Sequence, residues 1–288
     1  MSSPVAAAVA ERLESLEALD PPAKKIGKLV RDTIPGGPVK DALSGTWLGH
    51  ALHPLLTDLV IGTWTSASLL DLLGGAGTDK AARRLVGLGI LSAGPTVVTG
   101  YSDWADSEVG DAGVRRVGIV HAASNATALT LMTGSWLARR KGGGKGLTLA
   151  AMGLLGVGGW LGSHMSYSQG VGVDNTVFDK DLEQWTGTGM REAELPEGTP
   201  RCALADGTPI LLVRHQGQLR ALHNRCSHRG GPLNEGEFGG GTVTCPWHGS
   251  VFRLEDGSVE RGPAAYPQPS YDVRVVTDGE VEVRIRAH

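Results

Sequence analysis

The chain has 288 residues, 41% of them apolar, and a formal net charge of −3. That length accommodates two domains, and the slight acidity excludes the general affinity for nucleic acid that a strongly basic chain has. Three cysteines are too few for a disulfide framework and suit a reducing compartment or metal ligation. The apolar residues are unevenly spread. Residues 41–170 are rich in Leu, Val, Ala, Gly, Thr and Trp, whereas residues 185–288 are polar, with Pro, Gly and charge throughout.

Residues 4–20 read as a helix, because Val5, Val9, Leu13 and Leu16 recur at helical spacing. "DPPAKK" is expected to end it. No cleavable signal peptide is expected, since Glu11, Arg12, Glu14 and Glu17 fall where its apolar core would be. A second short helix is predicted with Ile26, Leu29 and Val30 on one face and Lys24, Lys25, Lys28 and Arg31 around it. Such a helix either lies on an anionic membrane surface or is an ordinary solvated helix.

Four apolar segments follow: Trp47–Leu73, Leu85–Tyr101, Val117–Leu137 and Leu147–Tyr167, the second being the shortest. A bilayer-spanning helix needs about 20 mostly apolar residues. None of the four carries Lys or Arg inside it. Arg83 and Arg84, Arg115 and Arg116, and Arg139, Arg140 and Lys141 flank the segments, and Trp47, Trp104, Trp136 and Tyr167 lie near segment ends. A soluble bundle would need polar outward faces, and these are mostly Leu, Val, Ala and Gly. Insertion in a lipid bilayer is therefore expected, with Gly158 and Gly162 allowing close helix contact.

The spans also hold polar residues: His50, His53, Thr57, Asp58, Thr65 and Ser68 in the first, His121, Ser124 and Asn125 in the third, and His164 near Trp160 in the fourth. Ionisable residues in a span face the bundle interior and usually mark function. Residues 171–188 then read as an exit segment and linker. Beyond them, "GTPILLVRHQGQLRAL" gives two apolar runs around Gln216-Gly217, and "VRVVTDGEVEVRIR" gives two alternating runs around Asp278-Gly279, both hairpin signals. Val281, Val283 and Ile285 face one side of the last strand. Residues 189–288 thus form a small all-β domain.

Within it stand "CSHRGG" and "CPWHGS", placing Cys226, His228, Cys245 and His248 as C-x-H, sixteen residues, then C-x-x-H. A structural zinc finger pairs two cysteines first and two histidines later, and this order does not fit. It fits a [2Fe–2S] centre in which two cysteines hold one iron and two histidines the other. "CSHRGGPL", "CPWHGSVF" and "GPAAYPQPSYDVRV" resemble Rieske ferredoxins over about a hundred residues. The resemblance implies a Rieske [2Fe–2S] cluster with Cys226, His228, Cys245 and His248 as its ligands, and the two histidines at an exposed tip open to a redox partner. The oxidised centre is neutral, because its imidazoles carry no charge, so it accepts an electron more easily than a four-cysteine cluster. Rieske potentials accordingly run from about −150 to +300 mV, against about −400 mV for plant-type clusters. Gly231 and Trp247 stand where cytochrome-complex members of the family carry a bracing disulfide. Ser250 matches a serine near the cluster sulfurs, but Phe252 replaces a tyrosine and offers no hydroxyl, so a ferredoxin-like or intermediate potential is expected. Cys202 is expected to be a buried strand residue.

"HPLLTDLVIGTW" and "WLGSHMSYSQGVGV" resemble a bacterial membrane-domain family of unknown function, the DUF2231 family, whose name supplies no chemistry. Three readings of the intramembrane polar residues stay open. His53 and His121 ligate a haem b; or the polar face binds a quinone, with His53 and Asp58 handling protons; or these groups hydrogen-bond across helices and hold the bundle together.

The expected whole is a multi-domain chain, with amphipathic helices over 1–40, an all-α four-helix transmembrane bundle over 41–170, a linker over 171–188, and an all-β Rieske [2Fe–2S] domain over 189–288. It is expected to carry single electrons between a donor and an acceptor as a membrane-anchored protein, with a reductase or terminal acceptor as partner, and alone, as a homo-oligomer, or within a larger complex. A non-enzymatic membrane redox sensor or assembly subunit is the alternative. Lys24–Arg31 favours an anionic inner leaflet and a cytoplasmic Rieske domain in a bacterial cell membrane, while Arg83-Arg84 before an apolar run argues for export. An oxygenase is not expected, since forty residues follow His248 and the bundle shows no facial triad.

Overall fold

The computed structural model describes residues 4–75, 77–179 and 181–286. The chain folds as two compact units, one built from the chain up to Pro35 and from Leu52–Val171, the other from Gly36–Ala51 and from Gly172 onward.

The first unit is helical. Two short helices, α1 (Pro4–Glu14) and α2 (Asp20–Thr33), precede four long ones, α4 (Leu52–Leu73), α5 (Asp79–Ser107), α6 (Ala112–Ala138) and α7 (Lys145–Tyr167); the intervening α3 (Pro38–Ser44) belongs to the second unit. The expected break at "DPPAKK" falls earlier, at residues 15 and 16. Asp20, Pro21 and Pro22 instead open α2, because proline in the first turn lacks only an N–H that has no partner within the helix. The segment expected to be shortest is the longest helix, 29 residues, since charged residues at both ends extend it beyond its apolar stretch. The first apolar segment begins at Leu52 and not Trp47.

α4 packs on α5 and α7, and α6 packs on α5 and α7, so α4 and α6 occupy opposite corners of the bundle. Val60, Trp64, Ala67, Val86, Ala128, Met132 and Ala151 fill its core. Gly89 is required there, because a Cβ would meet Trp64 Nε1 at 2.1 Å. Trp104, expected at an interface, is buried and donates its Nε1–H to the Val114 carbonyl at 3.2 Å.

Three of the arginines that read as membrane flanks, Arg115, Arg116 and Arg139, bind carboxylates, while Arg83 and Arg140 lie over the Trp136 ring. At one end Glu108 accepts from Arg31 and Arg115, each at 2.7 Å, and Arg116 holds Asp20 through Nε and Nη2 at 2.8 and 2.9 Å. At the other end the buried Arg139 and Asp71 form a two-pronged pair. α2 is therefore docked on α5 and α6 by Ala23, Gly27 and Arg31, while Lys24, Lys25 and Lys28 stay outward.

The outward faces are apolar: Leu55, Leu59, Leu69, Leu91, Leu137 and Val157 are exposed. Among the described residues α5 and α7 are long and apolar enough to cross a membrane, and only 33% and 22% of their apolar windows are buried, the reverse of a core helix in a soluble protein. The four-span expectation is corrected to two by this measure. Asp58, Asp71 and several hydroxyl residues dilute α4, and His121, Ser124, Asn125 and three threonines dilute α6.

The second unit is all-β apart from α3. A six-stranded antiparallel sheet runs in the order β1 (Thr186–Arg191), β10 (Glu280–Ile285), β9 (Ser270–Val275), β4 (Gln218–His223), β3 (Thr208–His215) and β2 (Arg201–Ala205). A four-stranded sheet runs in sequence order, β5 (Glu237–Gly239), β6 (Thr242–Thr244), β7 (Val251–Arg253) and β8 (Val259–Arg261). β3 reads as a continuous apolar run because both its faces are covered. Ile210 and Leu212 join one core cluster with Tyr271, Val281 and Val283, and Leu211 and Val213 join another with Leu222, Val243 and Phe252. The β3–β4 hairpin turns at Gln216-Gly217, both at positive φ, and the β9–β10 hairpin turns over residues 276–279.

Cys202 is exposed, against expectation. β2 is an edge strand, and its alternation turns Ala203 and Ala205 inward and Cys202 and Leu204 outward. Within the expected linker over 171–188, Leu182 sits in the first core cluster of this unit and the Ile285 amide donates to its carbonyl at 2.8 Å.

Candidate metal centre

Two loops of the second unit are built alike. In the loop after β4 the Cys226 amide donates to the Gly231 carbonyl at 2.9 Å, and the Gly230 amide returns to the Cys226 carbonyl at 2.8 Å. In the loop between β6 and β7 the Cys245 amide donates to the Ser250 carbonyl at 2.8 Å, and the Gly249 amide returns to the Cys245 carbonyl at 3.1 Å. Each turn closes on a glycine at positive φ, Gly230 at 77° and Gly249 at 75°, a region that disfavours other residues. The repeated geometry explains why both motifs carry a glycine four places after the cysteine.

The loops bring all four motif residues together. Cys226 and Cys245 are buried and their thiols lie within hydrogen-bonding reach of each other. The His228 and His248 rings stand 5.0 Å apart, edge to face. Backbone amides of His228 and Arg229 point at the Cys226 sulfur, and those of Trp247 and His248 at the Cys245 sulfur. The hydrogen bond from Cys226 and then those amides hold the Cys245 thiol down to about 7 against burial, while the same pairing and burial push Cys226 up. Burial, and then the neighbouring His248, Arg229 and Lys40, push His228 well below the usual histidine range, which favours the neutral, ligating form. Both imidazoles are partly exposed, with Nδ1 of each shut off from solvent.

The donor set fits a two-iron group. Nδ1 of His228 is buried and makes no hydrogen bond, which is costly unless a metal takes its lone pair. Among the described residues no three His, Cys, Asp or Glu side chains converge on one point. A zinc ion needs three or four protein ligands at one point, whereas each iron of a Rieske centre takes two. Gly231 belongs to the fit, since a Cβ there would lie 2.8 Å from the Cys245 sulfur and 3.1 Å from the Trp247 ring. Ser250 Oγ accepts from the Ala264 amide at 3.0 Å and keeps its own proton to donate. Phe252 is fully buried and brings no hydroxyl.

Several residues that hold these loops escaped the sequence reading. The fully buried Gln268 accepts from the Ser227 amide at 2.9 Å and donates to the carbonyls of His223 and Arg225 at 2.7 and 2.5 Å. The Asn175 amide group donates to the His228 carbonyl at 2.8 Å, and its backbone N–H to the Ser227 carbonyl at 2.9 Å. Asn224 clasps Asn234 through two bonds of 2.8 Å. A lone amide between two prolines, "PQP", is the signal that could have found Gln268.

The membrane-half candidates lie in the first unit except His50, which falls in the second. His53 Nδ1 bonds the Thr96 carbonyl at 3.0 Å, and His121 Nδ1 bonds the Gly158 carbonyl at 2.8 Å. Asp58 is exposed on α4 and does not share the inward face of His53, which removes the pairing assumed for proton handling at a quinone. His50 lies outside α4 and is exposed. His164 is paired with Glu14 at 2.7 Å and stacked on Trp160.

Residues 187–272 match the family described as Rieske [2Fe-2S] domain, and residues 49–175 the one described as Predicted membrane protein (DUF2231). Over 109 residues the chain is 34% identical to the anthranilate 1,2-dioxygenase ferredoxin subunit of Burkholderia cepacia, covering 38% of this chain and 99% of that protein. It is 35% identical over 116 residues to apoptosis-inducing factor 3 of Mus musculus, covering 40% of this chain but only 16% of that protein. Among solved structures, the ferredoxin of carbazole 1,9a-dioxygenase from Nocardioides aromaticivorans IC177 is 27% identical, covers 36% of this chain and 99% of that chain, and has a TM-score of 0.33. The chain belongs to the Rieske [2Fe–2S] family, and it carries a DUF2231 predicted membrane domain ahead of its Rieske domain.

Proposed function

We propose that this protein is a membrane-anchored carrier of single electrons, with Cys226 and Cys245 on one iron and His228 and His248 on the other. The observation that carries the reading is the convergence of two similarly closed loops, each bringing one thiol and one imidazole, on a site where Nδ1 of His228 lacks any hydrogen-bond partner. The bound [2Fe–2S] group supplies reversible one-electron chemistry at moderate potential. The chain's own residues tune it: four backbone amides directed at the cysteine sulfurs and the Ser250 hydroxyl stabilise added negative charge. The absence of a tyrosine hydroxyl at Phe252 sets the potential below the top of the Rieske range.

The apolar outer faces of α5 and α7 support anchoring in a bilayer. Two relatives are ferredoxin subunits of dioxygenases, which favours a flavoprotein reductase or an oxygenase component as the soluble partner. The Lys24, Lys25 and Lys28 face favours placing the Rieske domain on the cytoplasmic side. A haem b or a quinone beside His53 and His121 would give the electron a second station in the bundle.

Stopped-flow mixing of the solubilised full chain with an NADH-driven flavoprotein reductase, and separately with a quinol, tests the carrier role. Bleaching of the visible bands on the millisecond scale by either donor, and recovery on adding an oxidised acceptor, is expected. A centre that neither donor reduces within seconds contradicts it and favours a sensor.

A further inference from the structure

Residues 36–51 lead into α4 but fold with the second unit and not with the bundle. Their helix, α3, lies ahead of the residues matched by either family. α3 ends at Gly45, whose backbone is left-handed at φ 79°, a region open to glycine. The amides of Gly45 and Thr46 both donate to the Asp41 carbonyl, that of Thr46 at 3.1 Å. This folds Thr46 back beside Asp41.

The two side chains grip one stretch of backbone. Asp41 Oδ1 accepts from the Gly262 amide at 2.8 Å, and Thr46 Oγ1 donates to the Ala264 carbonyl at 3.2 Å. Gly262 has no room for a side chain, because a Cβ there would lie 2.8 Å from Thr46 Oγ1 and 3.2 Å from Asp41 Oδ1. The same stretch reaches the Cys245 loop. The Ala264 amide donates to Ser250 Oγ at 3.0 Å, and the Cys245 amide donates to the Ser250 carbonyl at 2.8 Å. Gly262, Ala264 and Ser250 are all buried. Asp41 is thus joined to the metal centre by hydrogen bonds and three residues of backbone.

We infer that, given the cluster proposed above, Asp41 is a positioning residue of the metal centre. It fixes residues 262–264 and, through the Ala264 amide, the Ser250 hydroxyl that tunes the cluster. An ionised acceptor holds an amide more firmly than a neutral one. Without an acceptor at Asp41 the stretch loosens, Ser250 loses its fixed orientation, and a weaker hydrogen bond to sulfur lowers the potential. Loss of the Asp41 charge alone acts in the opposite direction, because less negative charge nearby favours adding an electron. The two effects differ in sign and can be told apart.

The test is a redox titration of the full chain in detergent, followed by EPR. Asp41→Asn drops the charge and keeps an acceptor for the Gly262 amide, whereas Asp41→Ala drops both. The Asn variant should titrate at or above the parent, and the Ala variant below both. Gly262→Ala keeps the charge but wedges the grip open, and its midpoint should fall too. In a Ser250→Ala background the Asn and Ala variants should titrate together, because the hydroxyl through which Asp41 acts is gone. Hydrogen exchange at the Gly262 amide reads the grip apart from the cluster: about tenfold faster exchange is expected in Asp41→Ala and near-parent exchange in Asp41→Asn. Equal midpoints for the Asn and Ala variants in cluster-bearing protein overturn the inference. So does an Asp41→Ala fall that persists undiminished without the Ser250 hydroxyl, or unaccelerated exchange at Gly262. Each of these leaves the carrier reading standing, whereas a parent with neither iron nor labile sulfide overturns both.

Discussion

The helical unit and the β unit treat their buried polar groups in opposite ways. In the bundle nearly every polar side chain is spent on structure: Arg139 on Asp71, Arg115 and Arg31 on Glu108, Ser68 and Thr96 on helix carbonyls. In the β unit Gln268, Asn175 and Asn224 hold the backbone of two loops, while the buried Nδ1 of His228 that one loop carries has no hydrogen-bond partner. The difference teaches where to look for a ligand. A buried donor or acceptor that the fold has not consumed is costly, and where it sits on a side chain able to ligate a metal it marks a place for a ligand.

The comparison can be broken most forcefully at the cysteines. Cys226→Ser or Cys245→Ser should abolish iron and labile sulfide and lower the melting temperature of the β unit, with the bundle's far-UV circular dichroism unchanged; equal loss from both units would undo the contrast. Next in size, Arg139→Met leaves the buried Asp71 carboxylate unpaired and should destabilise the bundle by about 3–5 kcal/mol, while Asp71→Leu together with Arg139→Met should recover most of that. Thermal unfolding in detergent reads both. Gln268→Ala strips partners from the Ser227 amide and two carbonyls and should cost the β unit about 1–3 kcal/mol per group left unsatisfied, seen as a shift in denaturant midpoint with slower cluster uptake. The smallest effect is sharpening. Phe252→Tyr adds a hydroxyl among Cys226, Cys245 and Val243 and should raise the reduction potential in a redox titration, at a packing cost of about 1–3 kcal/mol. An unchanged potential would show that the hydroxyl does not reach a sulfur.

The cluster motifs were legible because their chemistry is local. C-x-H and C-x-x-H name donors, and the glycine four places after each cysteine names the turn. The two hairpins were equally plain, since Gln216-Gly217 and Asp278-Gly279 carry positive-φ residues between apolar runs. What failed depended on contacts distant in sequence. Leu182 and Asn175 looked like linker because the groups they meet lie 103 and 53 residues away. Cys202 looked buried because edge position is not written in a strand's own residues. Arg115, Arg116 and Arg139 looked like membrane flanks, and only the fold shows Glu108, Asp20 and Asp71 facing them. Helix ends were misjudged at Asp20-Pro21-Pro22 because proline both ends and begins helices.

The central claim is that two matching loops hold two irons between them, one on thiolates and one on imidazoles. Iron and acid-labile sulfide analysis of the anaerobically purified full chain, combined with EPR after reduction, tests it most directly. The account predicts two irons and two sulfides per chain, as the family's [2Fe–2S] description requires, with a rhombic one-electron signal lost in Cys226→Ser. One zinc per chain with no sulfide, or a protein that stays colourless and EPR-silent after reconstitution, would contradict it.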